Sequence, residues 1–184
     1  KMIYNSDAAE KRAAMTVADL MAAAARTAPK GCGIDAIFVS IIDGEEKNLL
    51  TSDMREIGKQ PYMEFFDRDA GNIDQSHCVI LVGVHDAPLG LKGCSLCGFP
   101  NCAEAKKAGS KCAFKITDLG IAIGSMVSIA ANHRMDNRCL YTAGRSAARL
   151  GLVPEDVTVC FAIPLATMGK NPFFDRPGPR ACRD

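Results

Sequence analysis

The chain has 184 residues, 48% of them hydrophobic, and its 22 Lys and Arg against 21 Asp and Glu leave a net charge of +1. That length buries one sizeable core, so a single domain over residues 1–184 is expected. The two charge signs are interspersed, which excludes the basic stripe of a nucleic-acid binder.

The opening segment KMIYNSDAAEK lacks the apolar stretch of an export signal. The longest apolar run, Leu119 to Ala131, is shorter than a bilayer span. Nine cysteines, an odd number unevenly spread, do not read as a disulfide framework. A reducing, cytoplasmic setting without membrane contact is expected.

In chain order, Asp7 with Glu10 reads as a capping-box start to a long Ala- and Met-rich helix. Pro29 and the Gly31-Cys32-Gly33 turn end that helix near Ala28. Ile34 to Ile42 is β-branched and apolar, which predicts a buried strand. Glu45 to Lys59 carries Leu49, Leu50, Met54 and Ile57 at helical spacing, which predicts a surface helix. Pro61 is expected to start a short helix through Phe66, and Cys78 to Val84 reads as a second buried strand. After a cysteine-rich loop, Ala113 to Arg134 predicts a long helix, kept narrow by Gly120, Gly124 and Ser125. Arg138 to Leu150 predicts a further helix closed by Gly151, and Val157 to Ile163 a third strand. The tail from Ala166, with Pro172, Pro177 and Pro179, is expected to be extended and to reach a neighbouring copy.

The chemistry concentrates in GCSLCGFPNCAEAKKAGSKC, where Cys94, Cys97, Cys102 and Cys112 follow a C-x2-C-x4-C-x9-C spacing. Thiolates converging from a glycine-bearing loop are what an iron–sulfur cluster needs. Gly93 and Gly98 lack a Cβ and let the backbone turn sharply. Cys102 opens a helical pattern, CAEAKKAG, where the positive dipole end favours a thiolate. Structural zinc prefers two short pairs, and only one C-x2-C is present. The favoured ligand is therefore a [4Fe–4S] cluster on Cys94, Cys97, Cys102 and Cys112, with zinc as the substitute metal. Cys32, Cys78, Cys139, Cys160 and Cys182 read as small core residues, with an exposed, reactive thiol as the alternative for Cys32 because it sits in the Gly-Cys-Gly turn. His85, just before the loop, is a candidate to tune the site, although a surface role is the plainer reading. Arg145 and Arg149 read as a solvated helix face, and Asp118 as a local cap.

The cysteine segment is similar to the small cluster domain of corrinoid iron–sulfur proteins, which carries CGxCGxxxC; here Ser95 replaces one glycine. More widely, the chain resembles a family of uncharacterised ferredoxin domain-containing proteins. The residues that carry this are NSDAAEKRAAMTVADLMAAAARTAPK, FFDRDAGN, CSLCGFPNC, DLGIAIGSMVSIAA and GKNPFFDR. The element order also resembles the nitroreductase fold, through AARTAPKGCGIDAIFVSIIDGEEKNLL and the small-residue helix LGIAIGSMVSIAANH. That resemblance implies an α+β fold, a sheet flanked by helices, with an iron–sulfur segment inserted at 89–114. It also implies a homodimer with the small-residue helix at its interface.

Nitroreductase likeness raises FMN binding as well. In that family an opening arginine cluster holds the flavin phosphate, but only Lys11 and Arg12 stand in the matching region here. Lys170 and Arg176, around Phe173-Phe174, are the remaining candidates for that phosphate. The reading favoured here is an iron–sulfur protein of electron transfer, acting as or with an oxidoreductase. Its partner would be a redox protein or a small-molecule electron acceptor. A flavin-dependent reductase and a non-catalytic redox-sensing module, with iron–sulfur or zinc, are the alternatives.

Overall fold

The computed structural model describes residues 3–174. Helix α1 (Ser6–Thr27) leads through a Gly31–Gly33 turn into strand β1 (Ile37–Ile42). Helices α2 (Gly44–Gly58) and α3 (Phe65–Asp74) then precede strand β2 (Cys78–His85). After the cysteine segment come the short helix α4 (Cys102–Lys107) and the long helix α5 (Ala113–Asn132). Strand β3 (Asp136–Asn137), helix α6 (Tyr141–Arg149) and strand β4 (Val157–Ala166) complete the described chain.

The four strands form one antiparallel sheet in the order β1-β2-β4-β3. Both central strands are apolar because helices cover both faces. Along β2 the pleat sends Cys78, Ile80, Val82 and Val84 to one side, where α1 and α5 supply Ala18, Met21, Ala122 and Met126. Val79 and Leu81 go to the other side, against Leu50, Met54, Phe66, Ile73 and Ala143 of α2, α3 and α6. The result is a three-layer sandwich with two hydrophobic cores sharing one sheet. Gly144 marks the closest approach: a Cβ there would lie 2.0 Å from the Cys160 carbonyl oxygen, so α6 rests directly on β4.

Several expected boundaries shift for identifiable reasons. Asn5, not Asp7, caps α1, its side-chain oxygen accepting from the Ala8 N–H at 3.0 Å. Strand β1 starts at Ile37 and lies at the sheet edge, so most of it is half-buried rather than buried. Pro61 sits in a turn; the helix begins at Phe65 and runs to Asp74, because Phe66, Asp69, Ala70 and Ile73 all bury. Leu49 is exposed on α2 while Leu50, Met54 and Ile57 are inside.

Helix α5, at 20 residues, is long and apolar enough by length and composition to cross a membrane. One of its faces is filled by core contacts through Leu119, Ala122, Met126 and Ala130. The opposite face shows Ile116, Gly120, Ile121 and Gly124 to the outside.

Candidate functional site

Residues 86–112 connect β2 to α5. The path is built from tight turns: Gly90, Gly93 and Gly98 hold φ of +69°, +70° and +82°, and Ser95 sits at +44°. Glycine enters that left-handed region without the Cβ clash, which lets two cysteines three residues apart share one loop. The Gly98 N–H donates to the Ser95 carbonyl at 2.9 Å and locks the Cys94–Cys97 turn.

Cys102 is the first residue of α4, and Asn101 before it caps the helix by accepting from the Glu104 N–H at 3.0 Å. Gly109, at φ +69°, ends the same helix, with its N–H donated to the Lys106 carbonyl. The chain then doubles back, and Cys112 becomes the residue that caps α5.

These four cysteines line a single pocket. Its walls are otherwise largely apolar, with Pro88, Leu91, Leu96, Phe99 and Phe114 among them. All four thiols are unpaired; Cys94 is exposed and the other three are half-buried. Among the described residues no three His, Cys, Asp or Glu side chains stand close enough to hold a metal ion, so the thiols share a wall without closing a ligand shell. Cysteine thiolates are the donors an iron–sulfur cluster takes, and this pocket brings four cysteines to one wall.

The other cysteines differ. Burial pushes the Cys78 and Cys160 thiols up to about 12, so they stay protonated and unsuited to a metal. Cys139 is exposed, against the expectation of a core residue, and Cys32 is exposed too, which is the alternative its turn position offered. Cys32 holds φ +55° within its turn, an uncommon backbone for a non-glycine residue. Cys182 lies outside the described residues.

The cysteine segment is tied to the body by Lys115 and Asp118, of which sequence reasoning assigns a role only to Asp118, and a local one. Asp118 accepts from the Gly31 N–H at 2.9 Å and from Lys115 Nζ at 3.1 Å. Lys115 Nζ also donates to the Ile34 carbonyl at 2.7 Å. Both side chains are buried. Gly31 is closely packed: a Cβ there would meet Leu89 Cδ1 at 2.8 Å, so that the Leu89 side chain would have to shift. The available signal was a lysine and an aspartate three residues apart on an otherwise apolar helix.

His85 is not in the pocket wall: its Nδ1 pairs with Asp156 Oδ2 at 2.9 Å. Arg149 pairs with Asp53 at 3.0 Å, and Arg145 lies over the Phe66 ring at 5.8 Å. Of the candidate phosphate ligands, Lys170 is exposed beyond β4 and Arg176 lies outside the described residues. Phe173 is buried, with 1% of its surface exposed, so it packs in the body instead of covering a ring. Phe174 is exposed beneath the Arg138 guanidinium. Lys11 pairs with Asp43 at 3.2 Å and Arg12 stacks on Tyr4.

Residues 108–176 match the family described as "uncharacterized protein containing a ferredoxin domain (DUF2148)"; Cys112 falls within that match and Cys94, Cys97 and Cys102 precede it. An uncharacterised protein of Archaeoglobus fulgidus is 37% identical over 184 residues, covering 95% of this chain and 98% of the relative. Among solved structures, a nitroreductase with bound FMN from Desulfitobacterium hafniense DCB-2 superposes with TM-score 0.57 at 16% identity, covering 97% of this chain and 86% of that one. Iodotyrosine deiodinase bound to FMN and 3-iodo-L-tyrosine gives TM-score 0.58 at 12% identity, over 92% and 84% of the two chains. At these identities the likeness speaks for the fold alone. The sheet sandwiched between α1/α5 and α2/α3/α6 is thus the nitroreductase fold, and the chain belongs to the family of uncharacterised proteins that contain a ferredoxin domain.

Proposed function

We propose that this protein carries a [4Fe–4S] cluster on Cys94, Cys97, Cys102 and Cys112 and works in electron transfer, as or with an oxidoreductase. The observation that carries the reading is that four unpaired thiols, drawn from one loop and two helix starts, line one pocket. A bound cluster supplies one-electron exchange. The chain's own residues do the rest. Gly93 and Gly98 shape the loop around the site. Phe99 and Phe114, both half-buried, give the site apolar walls on its inner side. Lys115 and Asp118 hold the start of α5, and with it Cys112, against the body.

A second reading has a specific support: solved neighbours of this fold have FMN bound. Against it stands the engagement of the opening cations, Lys11 with Asp43 and Arg12 with Tyr4, which leaves no arginine cluster for a flavin phosphate in that helix. A homodimer is part of the favoured reading. The outward face of α5 is apolar, and nothing lies within 4 Å of a Cβ built at Gly120 or Gly124, which leaves space for a second backbone.

The experiment is anaerobic purification followed by iron, sulfide and zinc analysis, with an electron paramagnetic resonance spectrum of the reduced protein. A spectrum of a reduced cluster with iron and sulfide in equal amounts is expected. Stoichiometric zinc without iron would move the protein to the sensing or structural alternative.

A further inference from the structure

The chain is nearly neutral as a whole, yet residues 89–115 hold five lysines and one acid, Glu104. Lys115 is buried against Asp118, and Lys107 pairs with Glu104 at 2.9 Å. Lys92, Lys106 and Lys111 are exposed and have no ion pair among the described residues. They are not scattered. Lys106 lines the cysteine pocket, Lys92 lines an open groove beside it, and Lys111 adjoins Cys112. That groove is floored by Leu91, Leu96 and Phe114 and reaches Cys94, the most accessible of the four thiols. Leu96 is 59% exposed and Leu91 39%, although leucine ordinarily buries.

Asp86 is the one acid on the pocket wall, against three exposed lysines around it, and an apolar centre with a mainly cationic rim is the composition of a docking surface. From it we infer that the groove beside Cys94 docks a small acidic electron-carrier protein, Leu91, Leu96 and Phe114 making the contact and Lys92, Lys106 and Lys111 steering it. The inference rests on the cluster reading proposed above. Charge complementarity selects the occupant. A second copy of this chain would bring the same lysines face to face, and like charges repel. A nucleic acid would need a longer basic stripe than the one beside this pocket. An acidic carrier docked here would stand its redox centre over Cys94.

The test titrates anaerobically purified protein with a plant-type [2Fe–2S] ferredoxin, chosen for its acidic surface, and in parallel with a cationic cytochrome c. Binding is read by calorimetry at two salt concentrations, and iron is measured on the same samples. The ferredoxin is expected to bind at low salt, and to bind at least about tenfold more weakly once ionic strength screens the rim. A K92E/K106E/K111E variant should lose that binding while keeping its iron, and Lys59→Glu, on the distant α2 side, should bind as the parent does. Ferredoxin binding unchanged by salt or by the triple reversal overturns the docking surface, as does cytochrome c binding of equal strength. If the three lysines serve only to offset a cluster's negative charge, the triple variant loses iron and binds ferredoxin normally, which also overturns it. Absence of iron in the parent protein overturns the cluster reading instead, and that result is distinct from each of the others.

Discussion

Asp118 accepts a hydrogen bond from the Gly31 N–H at 2.9 Å across 87 residues of chain. Its other carboxylate oxygen takes the Lys115 ammonium at 3.1 Å, and both side chains are buried. This couples the turn after α1 to the first turns of α5, and so sets where Cys112 stands. Removing one partner of a buried ion pair leaves an uncompensated charge, at a cost of roughly 3–5 kcal/mol. Asp118→Ala should therefore lower unfolding stability by about that amount in urea titration. Lys115→Met combined with Asp118→Leu should recover much of the loss, because an apolar pair of similar volume needs no desolvation. Equal stability of Asp118→Ala and the parent would show that the pair holds nothing.

Gly144 and Gly124 should respond oppositely to a side chain. A Cβ at Gly144 would sit 2.0 Å from the Cys160 backbone oxygen, a contact that forces α6 off the sheet. Gly144→Ala should unfold the protein or cost several kcal/mol, about the scale of severe overpacking. At Gly124 a Cβ meets nothing within the chain. There a helix favours alanine over glycine by up to about 1 kcal/mol. If α5 packs against a second copy, Gly124→Glu should leave the fold intact by circular dichroism and yield monomers in light scattering. A parent protein that is already monomeric would remove the dimer from the account.

Stability should fall at alkaline pH through the buried thiols. Burial raises Cys78 and Cys160 to about 12 from an ordinary 9.0. A raised thiol pKa means the folded state holds its proton more tightly than the unfolded state does. The stabilisation is fully present below pH 9 and is lost as pH climbs toward 12. Melting temperature of the parent should therefore drop through that window, and Cys78→Val should flatten part of the drop. At pH 8 and in metal-free protein, iodoacetamide should label the exposed Cys32 and Cys94, label exposed Cys139 more slowly because desolvation raises its thiol pKa, and spare buried Cys78. Rapid labelling of Cys78 would contradict its burial.

Flavin content separates the two redox readings. With Lys11 and Arg12 engaged elsewhere, the supernatant of heat-denatured protein should contain far less than one flavin per chain by absorbance and fluorescence. Flavin near one per chain, lost on Arg176→Ala, would establish the reductase alternative.

Much of this architecture was legible in sequence where local signals agreed. The run CVILVGV reads as a strand and is one, because β-branched residues buried on both faces leave a continuous apolar stretch. The start of α4 at Cys102 follows from Asn101, a strong cap. FFDRDAGN holds Asp, Gly and Asn, all weak helix formers, so local propensity does not announce α3; tertiary burial of Phe66, Ala70 and Ile73 carries the helix to Asp74. The two-residue β3 has no periodicity to detect. Edge placement of β1 depends on what pairs with it, which its own residues do not encode. The same holds for Asp118: its type and spacing announce a buried charge, while its partner at Gly31 is a property of the fold.

The central claim is that Cys94, Cys97, Cys102 and Cys112 act together on one cluster. Anaerobically purified parent and Cys97→Ala proteins should be compared for iron, acid-labile sulfide and zinc. The account predicts about four irons and four sulfides per chain in the parent, and their loss in Cys97→Ala with the fold retained. A parent protein containing one zinc and no iron, or a Cys97→Ala protein that keeps its full iron, would contradict it.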